Sequence, residues 1–179
     1  MSDRTGEISA SVKTAGAGAG ETVSRAEQCL ESARNKYETA AMHGWAGVAG
    51  NMELAAESLE GVVEQLTIAG QASQTSATVL DEITEKMSSP EVVEHLVTAS
   101  SELDTAHAAA EASISLIDEA IGHCEAAGQE SLPASLNGLR EQVVEILERV
   151  VQCRNDVAAE RQEAENFAQQ SDDQDGPGN

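Results

Sequence analysis

At 179 residues with 40% apolar side chains, the chain has the length of about one domain, yet it holds a single Trp, a single Tyr and a single Phe. Its apolar content is therefore mainly Ala, Val and Leu, which excludes a core built on aromatics and favours closely packed helices. A formal charge of −22, from 32 acidic and 10 basic residues, argues against nucleic acid and anionic membranes as main ligands, because both need basic footprints.

In chain order, residues 1–20 contain the tract Ala15-Gly-Ala-Gly-Ala-Gly20. Repeated Gly makes helix costly, so the expectation here is a flexible arm. A first helix is expected over 22–42, with Val23, Ala26, Leu30, Ala33, Tyr37 and Ala40 on one face. The stretch 43–50 carries three glycines and reads as a turn. A second helix over 51–87 has the clearest pattern in the chain: Met52, Ala55, Leu59, Val62, Leu66, Ala69, Ser73, Ser76, Leu80, Ile83, Met87. Steps of three and four keep one face turned toward a partner helix. Ser73 and Ser76 are expected to weaken that seam.

Ser88-Ser89-Pro90-Glu91 punctuates the chain, with Ser89 as expected cap and Pro90 at the first helical position. A third helix is expected over 90–127, on the stripe Val92, Leu96, Ala99, Leu103, Ala106, Ala110, Ser113, Ile117, Ala120, Cys124. Gly128 suits the position just past its end. The short break at 88–89 predicts that helices two and three are antiparallel, bringing Ala106, Ala110 and Ser113 near Ala69, Ser73 and Ser76. Ser131-Leu132-Pro133 opens a fourth helix over 132–169, on Leu132, Leu136, Leu139, Val143, Ile146, Val150, Cys153, Val157, Ala164 and Phe167. Glu160 is the one charged intruder. The acidic tail 171–179 is expected to be disordered. The fold expected is all-α: an elongated antiparallel bundle of about four helices over 21–170. Its seam residues are Leu59, Val62, Leu66, Leu80, Ile83, Leu96, Leu103, Ile117, Leu139, Val143, Val150 and Val157.

Catalytic chemistry has little to stand on. There is no P-loop, dinucleotide glycine pattern or G-x-S-x-G elbow. Carboxylate pairs such as Glu53 with Glu57 and Glu60 with Glu64 read as solvated helix surface. No two of His43, His95, His107 and His123 share the i, i+4 spacing of a metal-binding helix face. His123 and Cys124 would need Cys153 and a fourth ligand to hold zinc, and none is evident. The expectation is a non-enzymatic protein with no cofactor and no metal. Cys29, Cys124 and Cys153 lack paired spacing and read as reduced, buried thiols of a cytoplasmic protein. No signal-peptide run and no membrane span is expected. From Met87 to Leu139 there is no Lys or Arg, which reads as a solvated acidic face or a docking surface for a basic partner.

Trp45-Ala46-Gly47 holds the only Trp, between two heptad-patterned helices. This arrangement resembles the WXG family, small helical hairpins exported by type VII secretion machinery of bacteria. The resemblance covers residues 22–87 and implies an antiparallel hairpin with Trp45 and Gly47 in its connecting loop, as well as export without a signal peptide. The chain departs from the family in carrying two further helices. It also lacks an acid four residues after its only Tyr, since Ala41 follows Tyr37 at that distance. A Trp plugging the bundle end is the plainer reading of Trp45. The functional expectation is an acidic helical interaction or scaffold protein that binds partner proteins or copies of itself through helix faces. Two alternatives are a WXG-like secretion substrate or partner, and an acidic decoy occupying a basic site on a nucleic-acid-binding protein.

Overall fold

The computed structural model describes residues 2–174. They form four helices: α1 (Ser2–Met42), α2 (Ala46–Asp81), α3 (Ser89–Ala126) and α4 (Ser131–Gln174). Each packs on the next in the chain, and α4 returns to pack on α1, closing a ring of four. Cross-helix pairs set the register. Arg34 meets Glu60 and Lys13 meets Asp81 between α1 and α2. Asp118 meets Arg140 and Asp104 meets Arg154 between α3 and α4. In every interface rising numbers on one helix meet falling numbers on its neighbour, so the helices run up, down, up, down. At 36 to 44 residues each, the helices span roughly 54–66 Å.

The stripes lie inward. Leu59, Val62, Leu66, Leu80, Leu96, Leu103, Ile117, Leu139, Val143, Val150 and Val157 are buried, as is Ile83. The core divides along the bundle axis. One half gathers Leu30, Met52, Leu59, Leu66, Ile117, Leu136 and Val143, beneath the α1–α2 and α3–α4 turns. The other gathers Ile8, Val12, Leu80, Leu96, Leu103 and Val157, above the α2–α3 turn.

The flexible arm expected over 1–20 is not what forms. Residues 2–20 continue α1 without a break, and Ile8, Val12, Ala15 and Ala19 are buried. The cost of glycine in a helix is offset by close approach to α2. A Cβ on Gly16 would lie 3.3 Å from Ser73 Cβ and 3.5 Å from the Gly70 carbonyl oxygen; one on Gly70 would lie 3.6 Å from Ala19 Cβ. The tract is a backbone-to-backbone seam, in which small residues let two helices approach closely.

Ser73 and Ser76 are accordingly not a weak point. Ser73 fills the space left by Gly16, and Ser76 donates a hydrogen bond to the Ala99 carbonyl at 3.0 Å. The register also separates Ser113 from them. Gly61 faces Leu116, whose Cδ1 lies 2.9 Å from where a Gly61 Cβ would be, so Ser113 sits near that level and not beside Ser73.

The helix ends shift as well. α2 stops at Asp81, six residues before the expected Met87, and its last turn is tied to α1 by Ser9 and Lys13, each bonding Asp81 at 2.6 Å. Ile83 is buried from the α2–α3 connection instead of a helix. The α3 cap is Ser88, one residue before the expected Ser89. Its N–H and hydroxyl both donate to Glu91 at 2.7 Å, placing Pro90 at the second helical position. α4 runs through 171–174, so those residues are helical where a disordered tail was expected; the rest of that expected tail, 175–179, lies outside the described residues. No helix among the described residues is long and apolar enough to cross a membrane.

Candidate functional site: the Trp45 apex and its groove

Two helix ends lie side by side at one end of the bundle, and both close in the same way. At the end of α1, Trp45 N–H donates to the Ala40 carbonyl at 2.9 Å and Gly44 N–H to Ala41 at 3.1 Å. At the end of α3, Gln129 N–H donates to Cys124 and Gly128 N–H to Glu125, both at 2.9 Å. These are Schellman closures, and they need a left-handed residue, supplied by Gly44 (φ 72°) and Gly128 (φ 68°). A side chain at either position would be strained.

The tight α1 closure leaves Trp45 as the N-cap of α2, outside the interior. It is 56% exposed and stacks on His43 with ring centroids 4.8 Å apart. The expectation that Trp45 plugs the bundle end is thus overturned: Ala40, Ala49, Met52, Ala127 and Leu132 are among the residues buried there. Gly47 lies in the first turn of α2 and not in the loop, with open space where a Cβ would sit. Met42 is 79% exposed beside the same turn. A groove of about 510 Å³ opens next to Trp45, floored by Ala40 and Val48 and walled by Gln28, Ser32, Asn35 and Gln129. Lys36 Nζ bridges across it to Gln129 Oε1 at 2.7 Å. The lining mixes an aromatic wall with amides, hydroxyls and the charged side chains of Glu31 and Lys36, a combination suited to a peptide surface.

The other candidate residues do not converge. Cys124 lies in the apical half of the core and Cys153 in the opposite half, so they and His123 make no zinc site. No cluster of three or more His, Cys, Asp or Glu able to hold a metal occurs among the described residues. All three cysteines are free and buried. Burial pushes the Cys124 thiol up to about 11 and raises Cys29 and Cys153 as well, so none offers a thiolate at neutral pH. The acidic α3 is partly neutralised from within, since Asp118 pairs with Arg140 at 2.7 Å and Asp104 with Arg154 at 2.6 Å.

Among the described residues, Glu160 is the one carboxylate buried in the core. It is 1% exposed, and neither carboxylate oxygen accepts a hydrogen bond among the described residues. Arg4 Nε approaches to 3.3 Å from the first turns of α1. Burial raises the Glu160 carboxyl above the usual range, with Arg4 opposing and Glu163 adding to the rise. The sequence showed Glu160 only as an interruption of a stripe; its tie to Arg4 depends on the helical arm that the glycines concealed.

No family model, curated protein or solved structure matches this chain.

Proposed function

We propose that the protein is a non-enzymatic acidic helix bundle that binds a partner protein through the Trp45 apex and the groove beside it. The supporting observation is the contrast between interior and apex. Large apolar side chains fill the bundle, and of the six left exposed among the described residues Met42 and Trp45 are the most exposed, against 36–48% for Leu54, Val97, Val151 and Phe167; Trp45 also lines the groove. Trp is among the residues most enriched at interface hot spots. The net charge of −22 favours a partner that is basic overall.

A photocrosslinking residue placed at Val48 in the groove, and separately at Thr78 far from it, tests this in lysate of the source organism. The reading expects one discrete adduct from Val48, lost on Trp45→Ala, and none from Thr78. Equal labelling from both positions contradicts it.

A second reading has its own support. α1 and α2 form an antiparallel hairpin whose turn spans His43 to Trp45, with Gly47 two residues further on. The WXG-like resemblance implies that topology, and the reading predicts that the protein leaves the cell when a secretion ATPase is present. Retention in a strain with an active ATPase counts against it. The decoy reading has less support, because part of the α3 acid is already paired with α4 arginines.

A further inference from the structure

Of the ten basic residues, Arg4, Lys13, Arg34, Arg140, Arg154 and Arg161 each meet a carboxylate. Lys36, Lys86, Arg25 and Arg149 meet none among the described residues, although the chain carries 32 acids; Lys36 bonds the Gln129 amide instead, while Arg25 and Arg149 lie on the adjacent helices α1 and α4. Both line the same cavity, of about 210 Å³, in the seam between α1 and α4. Arg25 stands at the end of the cavity where α4 lacks a side chain: its Nη2 lies 2.7 Å from where a Cβ on Gly138, one turn beyond the cavity lining, would be. The cavity wall also carries Gln142, whose Oε1 is buried without a hydrogen-bond partner, together with Glu21 and Glu145.

We propose that this cavity binds a small zwitterion of the amino-acid class. Its carboxylate lies between the Arg25 and Arg149 guanidiniums, and its ammonium donates to Gln142 Oε1 and faces Glu21 and Glu145. The lining has two cationic and two anionic groups, so it is complementary to a ligand carrying one of each. A simple anion would meet Glu21, Glu145 and the field of a chain at −22; a zwitterion has no net charge to be repelled. The orphan Gln142 oxygen gains the donor it lacks, and a buried acceptor left unmade is costly. The volume suits a single amino acid. This site is separate from the Trp45 apex, and neither reading depends on the other.

The test is titration of the full chain with glycine and L-glutamine, with acetate and methylammonium as controls, following the arginine Nε–H resonances by NMR. The amino acids are expected to shift Arg25 and Arg149 together, and each control to bind at least about tenfold more weakly. Arg149→Gln, at an exposed position, is expected to weaken amino-acid binding by about tenfold or more. Gly138→Ala, which displaces the Arg25 guanidinium, is expected to weaken binding similarly while the melting temperature holds or rises. The proposal is overturned if acetate binds as well as glycine. It is equally overturned if neither amino acid moves the two arginines at about 10 mM, a concentration that populates even weak complexes.

Discussion

α1 has two neighbours, and it meets them in opposite ways. Toward α2 it presents Gly16 and Ala19 against Gly70 and Ser73, and the backbones come close enough that an added methyl at Gly16 would crowd Ser73. Toward α4 it presents Gly18 and Arg25, with Ile146 no nearer than 3.7 Å to a Gly18 Cβ and a cavity left beside them. The same Ala-Gly tract serves both faces. On one it removes side chains so that helices touch, and on the other it leaves room. Small residues therefore do not specify tight packing by themselves; what stands opposite decides.

Substitutions on the two sides of α1 should differ in cost. The largest effect is expected where the two sides share one core. Leu66 on α2 and Val143 on α4 are both fully buried in the apical half. Leu66→Asp or Val143→Asp should each cost about 4 kcal/mol or more, enough to unfold the chain in a thermal melt followed by circular dichroism. An unchanged melting temperature would refute the stripe assignment. Next, Gly16→Leu should cost about 1–3 kcal/mol by overpacking the α2 seam. Gly18→Leu, facing the open α4 side, should cost clearly less. Equal losses would erase the asymmetry.

Glu160 lies on the α4 side and gives an effect of opposite sign. Its folded-state pKa is raised, so the proton it holds stabilises the fold at low pH, and that contribution is lost as pH rises through the raised value. Glu160→Leu should therefore stabilise the protein at pH 7 by about 1–2 kcal/mol, with little gain near pH 4. A variant that is destabilised at both pH values would show that Arg4 outweighs burial. Asp81 and Glu91 behave oppositely. Lys13 and Ser9 lower Asp81, and Ser88 lowers Glu91, so their contributions are present at neutral pH and fade on acidification. Smaller still, Gly20→Ala, with open space around its Cβ, should stabilise by about 0.5–1 kcal/mol from helix propensity. Trp45→Ala should change stability by less than about 0.5 kcal/mol, as expected for an exposed side chain, while removing the groove's crosslink.

The helical stripes were legible because burial follows the 3–4 period wherever a helix has neighbours on one side. Gly128 was legible because a left-handed closure has few other occupants. The arm was not, although its signal was present: Thr5, Ile8, Val12, Ala15, Ala19, Thr22 and Ala26 step by three and four and are all buried. Six alternating Ala and Gly residues hid that pattern behind their helix cost, which only the facing Gly70 and Ser73 offset. The candidate sites were less legible still. Trp45 stood out as the single Trp, but its exposure follows from the hydrogen bonds of the α1 closure. The Arg25 and Arg149 cavity exists because residues more than a hundred positions apart share one level of the bundle, and no local pattern encodes that register.

α1 is one continuous helix held against α2 from its first turns. Hydrogen–deuterium exchange over residues 12–20 tests this most directly. Protection comparable to that of residues 66–77 on α2 is the predicted result. Exchange of 12–20 at the rate of an unstructured peptide, with 66–77 protected, would contradict it.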